Sequence, residues 1–154
     1  MQIVYQEING TLLEKMVACY GDWVTKYIHF EDGSFSLAAL HDDVPLGFIS
    51  TYTRTLPNPL CNVKDAYIDV IEVDKQHRRR GIASELINRA EQWASENNFL
   101  QVRAWSSRDK AEAIPMWVKL QYGMCPAKIW NEQRRESVDG YYVVKRLRPS
   151  KSGC

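Results

Sequence analysis

The stretch from Val70 to Ala83 constrains the fold more than any other part of the chain. It begins as an apolar run typical of a strand, passes through the basic turn Arg78–Gly81, and continues into a strongly amphipathic helix. A strand that feeds a helix in this way forms a natural anion site. The first backbone N–H groups of a helix have no internal partners, and the helix dipole adds roughly half a positive charge there.

The three arginines of this turn carry the wrong charge for a helix start. Each positive side chain close to a helix N-terminus costs roughly 0.3–1 kcal/mol when it is exposed. Helix stability therefore does not explain Arg78–Arg80, and we expect these guanidinium groups to face a bound anion. A solvated basic turn without a ligand is the alternative interpretation of the three residues alone.

Composition limits the class of protein. The chain has 154 residues, of which 45% are hydrophobic and 25% charged, and this predicts one globular domain with a single core. We place that domain at residues 1–148 and expect the tail, 149–154, to be disordered. The net charge of +1 creates no field that would recruit nucleic acid or an anionic membrane, so neither is an expected partner.

The cysteines and histidines predict neither disulfides nor a metal site. The cysteines show no C-x-x-C pair and the histidines no i, i+4 pair, so we interpret the former as reduced thiols. No apolar window resembles a signal peptide or a membrane span, which predicts a cytoplasmic protein. The residues concerned are Cys19, Cys61, Cys125, Cys154, His29, His41 and His77.

Apolar periodicity predicts the element order β-α-β-β-β-α-β-α-β-β, which is typical of a mixed sheet with helices on both faces. The first helical segment should break near Gly21, and Asn97-Asn98 should end the second in a left-handed cap. A capping box starting at Asp109 should open the third helix, and Pro115 should kink it. Predicted strands lie at 3–8, 34–40, 46–56, 66–73, 100–106, 124–129 and 141–147, and predicted helices at 12–28, 81–97 and 109–120.

With these elements in place, the chain resembles the GCN5-related N-acetyltransferase (GNAT) superfamily. That family carries Gln/Arg-x-x-Gly-x-Gly/Ala after its fourth strand, where this sequence reads Arg78-Arg79-Arg80-Gly81-Ile82-Ala83. The element order matches over the whole chain except the tail. The resemblance implies a single α/β domain with a mostly antiparallel sheet, acetyl-CoA as acetyl donor and no metal. It also implies a primary amine of a small molecule or a peptide as acceptor, and homodimers are common in such families.

The resemblance further implies which residues hold the cofactor. Backbone N–H groups and arginines of the turn would bind the pyrophosphate, because Gly81 has no Cβ to obstruct it and Ala83 is small. The backbone of the fourth strand would pair with the pantetheine arm like an added strand, where the sheet is expected to splay. The expected cofactor-binding residues are Ile71, Glu72, Val73, Arg78, Arg79, Arg80, Gly81, Ile82, Ala83, Ser84 and Trp117.

The expected reaction needs a base. At pH 7 about one lysine-like amine in 2,500 is neutral, because the reference pKa is near 10.4. The fourth strand offers Asp69, which is the first candidate, and Glu72, which is the second; Tyr67 could relay a proton. Regular alternation places Tyr67, Asp69 and Ile71 on one face of the strand and Val70 and Glu72 on the other, unless a bulge shifts it.

The chain departs from the family at the proton donor. Family members often use a tyrosine in an Asn-x-x-Ala-x-x-x-Tyr pattern, but Lys110 and Trp117 stand at the Asn and Tyr positions. An indole does not titrate usefully, so Trp117 would pack against the CoA arm or in the core. Tyr122 is then the candidate hydroxyl, and a reaction without a protein acid is the alternative.

The resemblance builds the acceptor pocket from 20–29, 57–64 and 130–142. Transfer is expected to be direct, since no cysteine has the basic or helix-start setting of a nucleophile. Two other functions stay open. One is a catalytically weak CoA-binding sensor or partner module of the same fold, and the other is a domain whose arginines bind a different phosphate ligand.

Overall fold

A single seven-stranded sheet organises the chain. The computed structural model describes residues 1–148, and the predicted disordered tail lies outside them. The strands are arranged in the order β1-β2-β3-β4-β5-β7-β6. They span Val4–Glu7 (β1), Phe35–His41 (β2), Val44–Thr55 (β3), Lys64–Val73 (β4), Gln101–Ser107 (β5), Gly123–Asn131 (β6) and Glu136–Arg146 (β7). The predicted element order and the mixed, mostly antiparallel α/β class are confirmed.

Helices cover both faces of the sheet, as predicted. They are α1 (Gly10–Tyr20), α2 (Ile82–Glu96) and α3 (Ile114–Lys119). Helix α1 packs on one face, where Leu12 and Met16 meet Phe48. Helix α2 packs on the other, where Leu86, Ile87 and Ala90 join the larger core cluster. The apolar stripe that the sequence placed on α2 is therefore the stripe that attaches it to the sheet.

The predicted helix ends are partly confirmed. Helix α1 stops before Gly21, which has φ +97°, and a short 3-10 helix, Asp22–Lys26, follows. Asn98 adopts φ +62° directly after α2, the left-handed cap that was predicted. The expectation for Pro115 was wrong. It lies in the first turn of α3, where a missing N–H costs nothing, and so it starts that helix and does not kink it.

The predicted capping box at Asp109 was also wrong. Residues Ala111–Ala113 form a 3-10 turn whose start has no side-chain cap. The Asp109 carboxylate instead accepts a hydrogen bond from Ser107. A side chain already bonded to the end of β5 is not available to cap a helix.

The only parallel pairing within residues 1–148 is short. Strand β4 pairs with β5 from Asp65–Ile68 to Gln101–Ala104, and no pairing continues beyond these residues. On its other side β4 stays paired with β3 as far as Val73. Strand β5 continues along β7 to Ser107. Strands β4 and β5 therefore diverge after Ile68, and the edge of β4 that faces β5 has no strand partner from Asp69 to Val73.

A β-bulge sits where the strands diverge. Ser50 pairs with Val70 and Thr51 with Ile68, so Asp69 is the extra residue of β4. The regular alternation predicted from sequence therefore holds from Tyr67 to Asp69 and fails from Val70 onward. Val70 packs with the α1 cluster and Ile71 with the α2 cluster, while the Asp69 side chain reaches His29, whose main chain is bonded to buried serines of β2 and β3. Asp69 and Ile71 thus occupy opposite faces, because the bulge shifts the pleat by one residue.

A buried ion pair ties β4 to β5 just before they diverge. The Asp65 carboxylate is fully buried, and its Oδ2 lies 2.8 Å from Nε of Arg103. Its Oδ1 accepts a hydrogen bond from the Gln101 side chain at 2.5 Å. A buried charge keeps its place only with such partners. The pair therefore fixes the position at which the sheet opens.

We predict that Asp65→Asn destabilises the protein by about 3–5 kcal/mol, because the largely covered guanidinium of Arg103 loses its charge partner at a buried position. For a domain of this length that lowers the Tm by roughly 10 °C. Thermal unfolding checks this. Asp139→Asn is the control, because Asp139 is half exposed and its ion pair with Lys128, at 3.5 Å, is longer than that of Asp65. An equal loss of Tm in both variants would contradict the prediction.

Candidate active site

The start of α2 is open toward solvent. Gly81 precedes the helix with φ +80° and ψ 0°, and no side chain caps the first turn. The Glu85 N–H is the first that bonds back to the turn, to the Gly81 carbonyl at 3.0 Å. A Cβ built on Gly81 would meet no atom within 4 Å. The N–H groups of Ile82, Ala83 and Ser84 therefore have no side-chain cap, and uncapped N–H groups at a helix start are the groups that bind anions.

The three arginines of the turn have different roles. Arg78 is held by the protein: Nη2 lies 3.0 Å from Glu72, Nη1 lies 3.4 Å from Glu112, and Nε donates to the Val73 carbonyl. Arg79 has φ +62°, a strained conformation for a residue with a Cβ. Within residues 1–148 neither Arg79 nor Arg80 makes an ion pair, so these two guanidinium groups are available to an anion.

The free edge of β4 meets this helix start. Its backbone groups on the β5 side have no strand partner from Asp69 to Val73. The Val73 carbonyl is occupied by Arg78, and the Ile71 side chain packs in the core beneath α2. The geometry thus brings together the residues predicted for cofactor binding at 71–73 and 78–84, along one continuous edge and turn.

The two carboxylates proposed as bases differ in their environment. Glu72 is engaged by Arg78 in an ion pair. Asp69 projects from the bulge, and its Oδ2 lies 2.8 Å from Nε2 of His29. The other ring nitrogen of His29, Nδ1, lies 2.9 Å from Oε1 of Glu31. Asp69 is therefore the carboxylate of β4 at the opening of the sheet, and it is joined to a histidine.

Aromatic rings surround the Asp69–His29 pair. Tyr52 stacks on His29, with ring centroids 4.5 Å apart, and Tyr67 meets Tyr52 edge to face. Burial is the main cause that raises the pKa of both tyrosines above the usual value. Arg54 lies 4.6 Å above the Tyr67 ring. Tyr67 therefore stays protonated at neutral pH, so it can donate or relay a proton but does not act as a phenolate base.

The structure corrects the assignments of Trp117 and Tyr122. Trp117 is 3% exposed, belongs to the main core and packs edge to face on Tyr122. Tyr122 is 5% exposed, and its hydroxyl donates to Glu91 in the third turn of α2, far from the helix start. Burial, followed by the Glu91 charge, raises the pKa of Tyr122 far above its usual value. Both side chains lie in the core in this structure, because α3 and the turn that follows it direct them inward.

Sequence reasoning missed His29 and Glu31 as partners of Asp69. The segment 20–29 was assigned to the acceptor pocket, but nothing in the sequence links position 29 to position 69. The link depends on the fold, which bonds the backbone of His29 to serines of β2 and β3 and so places its ring beside Asp69. The i, i+2 spacing of His29 and Glu31 was the one local signal that could have drawn attention to them.

A second opening lies beside the final hairpin. A cleft of about 420 Å³ is bordered by residues 107–109 at the end of β5 and by residues 134–139 of the β6–β7 hairpin. Basic and acidic side chains, among them Arg108, Arg134 and Glu136, line it together. The hairpin side of the cleft belongs to 130–142, one of the three segments predicted for the acceptor pocket, whereas 107–109 was not among them.

The described residues form no metal-ligand cluster, no disulfide and no long apolar helix. Within 1–148, no three His, Cys, Asp or Glu side chains gather as metal ligands. In the same range, Cys19, Cys61 and Cys125 are exposed and unbridged, and no helix there has the length and hydropathy to cross a membrane.

The comparison with family models decides the classification. The model of the acetyltransferase (GNAT) family matches residues 4–122, which include β1, the bulged β4, the basic turn and α2. The chain belongs to the acetyltransferase (GNAT) family. The resemblance recognised at Arg78–Ala83 is thereby confirmed. A search of curated proteins found no match.

Solved structures share the fold of this GNAT chain at low sequence identity. Arabidopsis thaliana NAA60 in complex with a bisubstrate analogue has a TM-score of 0.78 and 18% identity, covering 97% of this chain and 100% of that one. NAA60 in complex with acetyl-CoA gives 0.74 and 18%, covering 95% and 99%. A ribosomal-protein-alanine N-acetyltransferase from Brucella melitensis gives 0.74 and 16%, covering 94% and 99%. At these identities the likeness establishes the common fold.

We predict that Gly81→Ala costs about 1–2 kcal/mol of stability, because φ +80° strains any residue with a Cβ while the Cβ itself meets no atom. Gly10→Ala is the matched control: Gly10 lies in the first turn of α1, and a Cβ there also meets no atom. The control should be neutral or slightly stabilising. Chemical denaturation measures both, and an equal effect would contradict a backbone origin.

Proposed function

We propose that this protein is an acetyl-CoA-dependent N-acetyltransferase that acts on a primary amine of a small molecule or a peptide. The observation that carries the proposal is the free edge of β4, which runs into the uncapped, arginine-flanked start of α2. The acetyl-CoA complex and the bisubstrate-analogue complex of NAA60, a protein of the same fold, support it.

Different groups of this protein would bind the different parts of acetyl-CoA. The N–H groups at 82–84, with Arg79 and Arg80, would bind the pyrophosphate, where Gly81 leaves room for it. Backbone groups at 70–72 would hydrogen-bond the pantetheine amides. Arg78 is a positioning residue in this account, because its ion pair with Glu72 and its bond to Val73 fix the turn against β4.

When bound, acetyl-CoA supplies a thioester whose carbonyl carbon accepts the amine. Asp69 would take a proton from the amine, so that the nitrogen lone pair becomes available to form the N–C bond as the C–S bond breaks. This general-base step addresses the scarcity of neutral amine at pH 7. The thiolate then takes a proton from water or from Tyr67, whose hydroxyl stays protonated. Transfer is direct, since among the described cysteines none is hydrogen-bonded to a basic residue that would lower its pKa.

One observation favours a second candidate function. Trp117 of α3 and Tyr122, which follows that helix, were considered for CoA contact and acid catalysis, and both are buried in the core. A CoA-binding sensor or partner module of low activity would tolerate this loss. Base-dependent turnover with an amine separates the two functions.

Ligand-dependent thermal unfolding tests the donor assignment. Acetyl-CoA or CoA at about 100 times its Kd adds roughly 2.7 kcal/mol, which should raise the Tm by about 5–10 °C. ATP should give little shift. Equal shifts with ATP would favour a site for a different phosphate ligand, and no shift with any of the three would contradict the proposal.

A charge-reversal variant in the basic turn tests whether the CoA-dependent Tm shift depends on that turn. Arg79→Glu should abolish most of the CoA-dependent shift, since it places a negative charge beside the pyrophosphate and leaves the backbone strain at φ +62° unchanged. Arg146→Glu, at the exposed end of β7, is the control that should retain the shift. Loss of the shift in both variants would point to a non-specific charge effect.

Replacement of the base is predicted to separate chemistry from binding. Asp69→Asn should lower kcat by about 10²–10⁴-fold, with the CoA-dependent Tm shift retained, and Asp69→Glu should recover part of the loss. The control is Asp42→Asn, because Asp42 lies in the exposed β2–β3 turn with φ +47°, which Asn tolerates. Full activity of Asp69→Asn against an amine panel of spermidine, lysine, an aminoglycoside and an alanine-initiated peptide would exclude Asp69 as the base.

A further inference from the structure

A chain of three acid–base groups crosses from β4 to the loop before β2. The Asp69 carboxylate contacts His29 Nε2 at 2.8 Å, and His29 Nδ1 contacts the Glu31 carboxylate at 2.9 Å. The side chains of Asp69 and His29 are 26% and 20% exposed, whereas that of Glu31 is 56% exposed. These three contacting side chains therefore form a path from the opening of the sheet to solvent.

The protein holds His29 in place from several sides. Its backbone N–H donates to Ser50 Oγ at 3.0 Å, and its carbonyl accepts from Ser36 Oγ at 2.9 Å. Those two hydroxyls are buried and lie 2.7 Å apart. The imidazole stacks on Tyr52 with an interplanar angle of 26°. A ring oriented by two strands and an aromatic neighbour is a built feature and not a chance surface contact.

Glu31 is also fixed by its own loop. Its carboxylate accepts a hydrogen bond from the Phe30 N–H at 3.1 Å. Backbone N–H groups, chiefly its own, together with His29 hold the pKa of Glu31 below the usual range. Glu31 is therefore ionised at neutral pH and presents a stable negative charge to His29 Nδ1.

The two contacts of His29 require different numbers of protons on its ring. A neutral imidazole has one N–H, so it can make only one of the two contacts a hydrogen bond while both carboxylates are ionised. The second contact becomes a hydrogen bond only when these three side chains take up one more proton. When the imidazole N–H is on Nδ1 and donates to Glu31, the additional proton is taken up between His29 Nε2 and Asp69 Oδ2.

We propose that Glu31, His29 and Asp69 act as one proton relay for the acceptor amine; this rests on the proposed function. The amine N–H bond breaks, its electron pair forms the new N–C bond, and the proton passes to Asp69. There it is shared between Asp69 Oδ2 and His29 Nε2, completing the second hydrogen bond. The Nδ1 proton then leaves through Glu31 to water. His29 and Glu31 are positioning residues, and Asp69 is the group that meets the substrate.

Other charged or titratable groups face the relay from the packed strands. Tyr52 and Arg54 belong to β3, Tyr67 to β4 and Arg103 to β5. Arg54 and Arg103 lie over the Tyr67 ring, and in the part of the chain that is described neither is paired with a relay carboxylate. Replacing Glu31 therefore changes one charge next to His29 and leaves these groups in place.

The test compares pH profiles of kcat/KM for the wild-type protein, Glu31→Gln, His29→Gln and the double variant. The same amine from the panel above is used throughout, so its own titration cancels in the comparison. In Glu31→Gln the acid limb should move to lower pH, because a negative charge beside the proton shared by Asp69 and His29 is removed. The plateau should fall by about 3–10-fold, since the base is weaker.

His29→Gln should lower kcat by about 10–100-fold. In that background Glu31→Gln should have no further effect on the profile, because the imidazole that couples Glu31 to Asp69 is gone. His41→Gln and Glu96→Gln are the controls. His41 lies at the β2–β3 turn and bonds the Gln2 carbonyl, and Glu96 is exposed at the end of α2. Both should keep the wild-type profile.

The outcomes are distinguishable. An unshifted acid limb in Glu31→Gln, or equal effects of this substitution with and without His29, overturns the relay while the acetyltransferase function stands. A wild-type protein that turns over none of the amines contradicts the proposed function, and the relay falls with it. Unchanged Tm values of the variants verify that the differences do not arise from unfolding.

Discussion

The candidate site depends on the early end of the pairing between β4 and β5. These strands share only the residues Asp65–Ile68 and Gln101–Ala104 before they diverge. Backbone N–H and C=O groups must find partners when they are buried, so a half-paired strand inside a sheet is stable only where solvent or a ligand reaches it. The opening therefore supplies a row of hydrogen-bonding groups that a linear ligand with amide groups can complete.

Two local features hold the opening at its place. The buried Asp65–Arg103 pair joins the strands below it, and the bulge at Asp69 turns the chain above it. Asp69 stays on the face of Tyr67, where His29 lies, while the bulge moves Ile71 to the opposite face. The candidate base is thus the extra residue of β4, directly after the pairing with β5 has ended.

Of the three arginines in the basic turn, one stabilises the structure and two are available to a ligand. Arg78 is neutralised by Glu72 and Glu112 and bonded to the Val73 carbonyl, so it stabilises the turn. Arg79 and Arg80 have no such partner in the described part of the chain, and they surround an uncapped helix start. The helix dipole and these two cations favour the same ligand charge, which explains why a sequence retains residues that are unfavourable for the helix itself.

The amino-acid sequence by itself determined the element order, the α/β class and the anion-binding turn. These follow from local physics: apolar periodicity, and a glycine and arginines at a helix start. It did not determine which side chains meet across the sheet. The bulge breaks the predicted alternation after Asp69, so that Ile71 lies on the opposite face, and Pro115 starts α3 where a kink was expected. Trp117 and Tyr122 turn into the core, while His29, forty residues from Asp69, becomes its partner. Those outcomes depend on strand register and on packing between distant segments, and only the tertiary structure decides them.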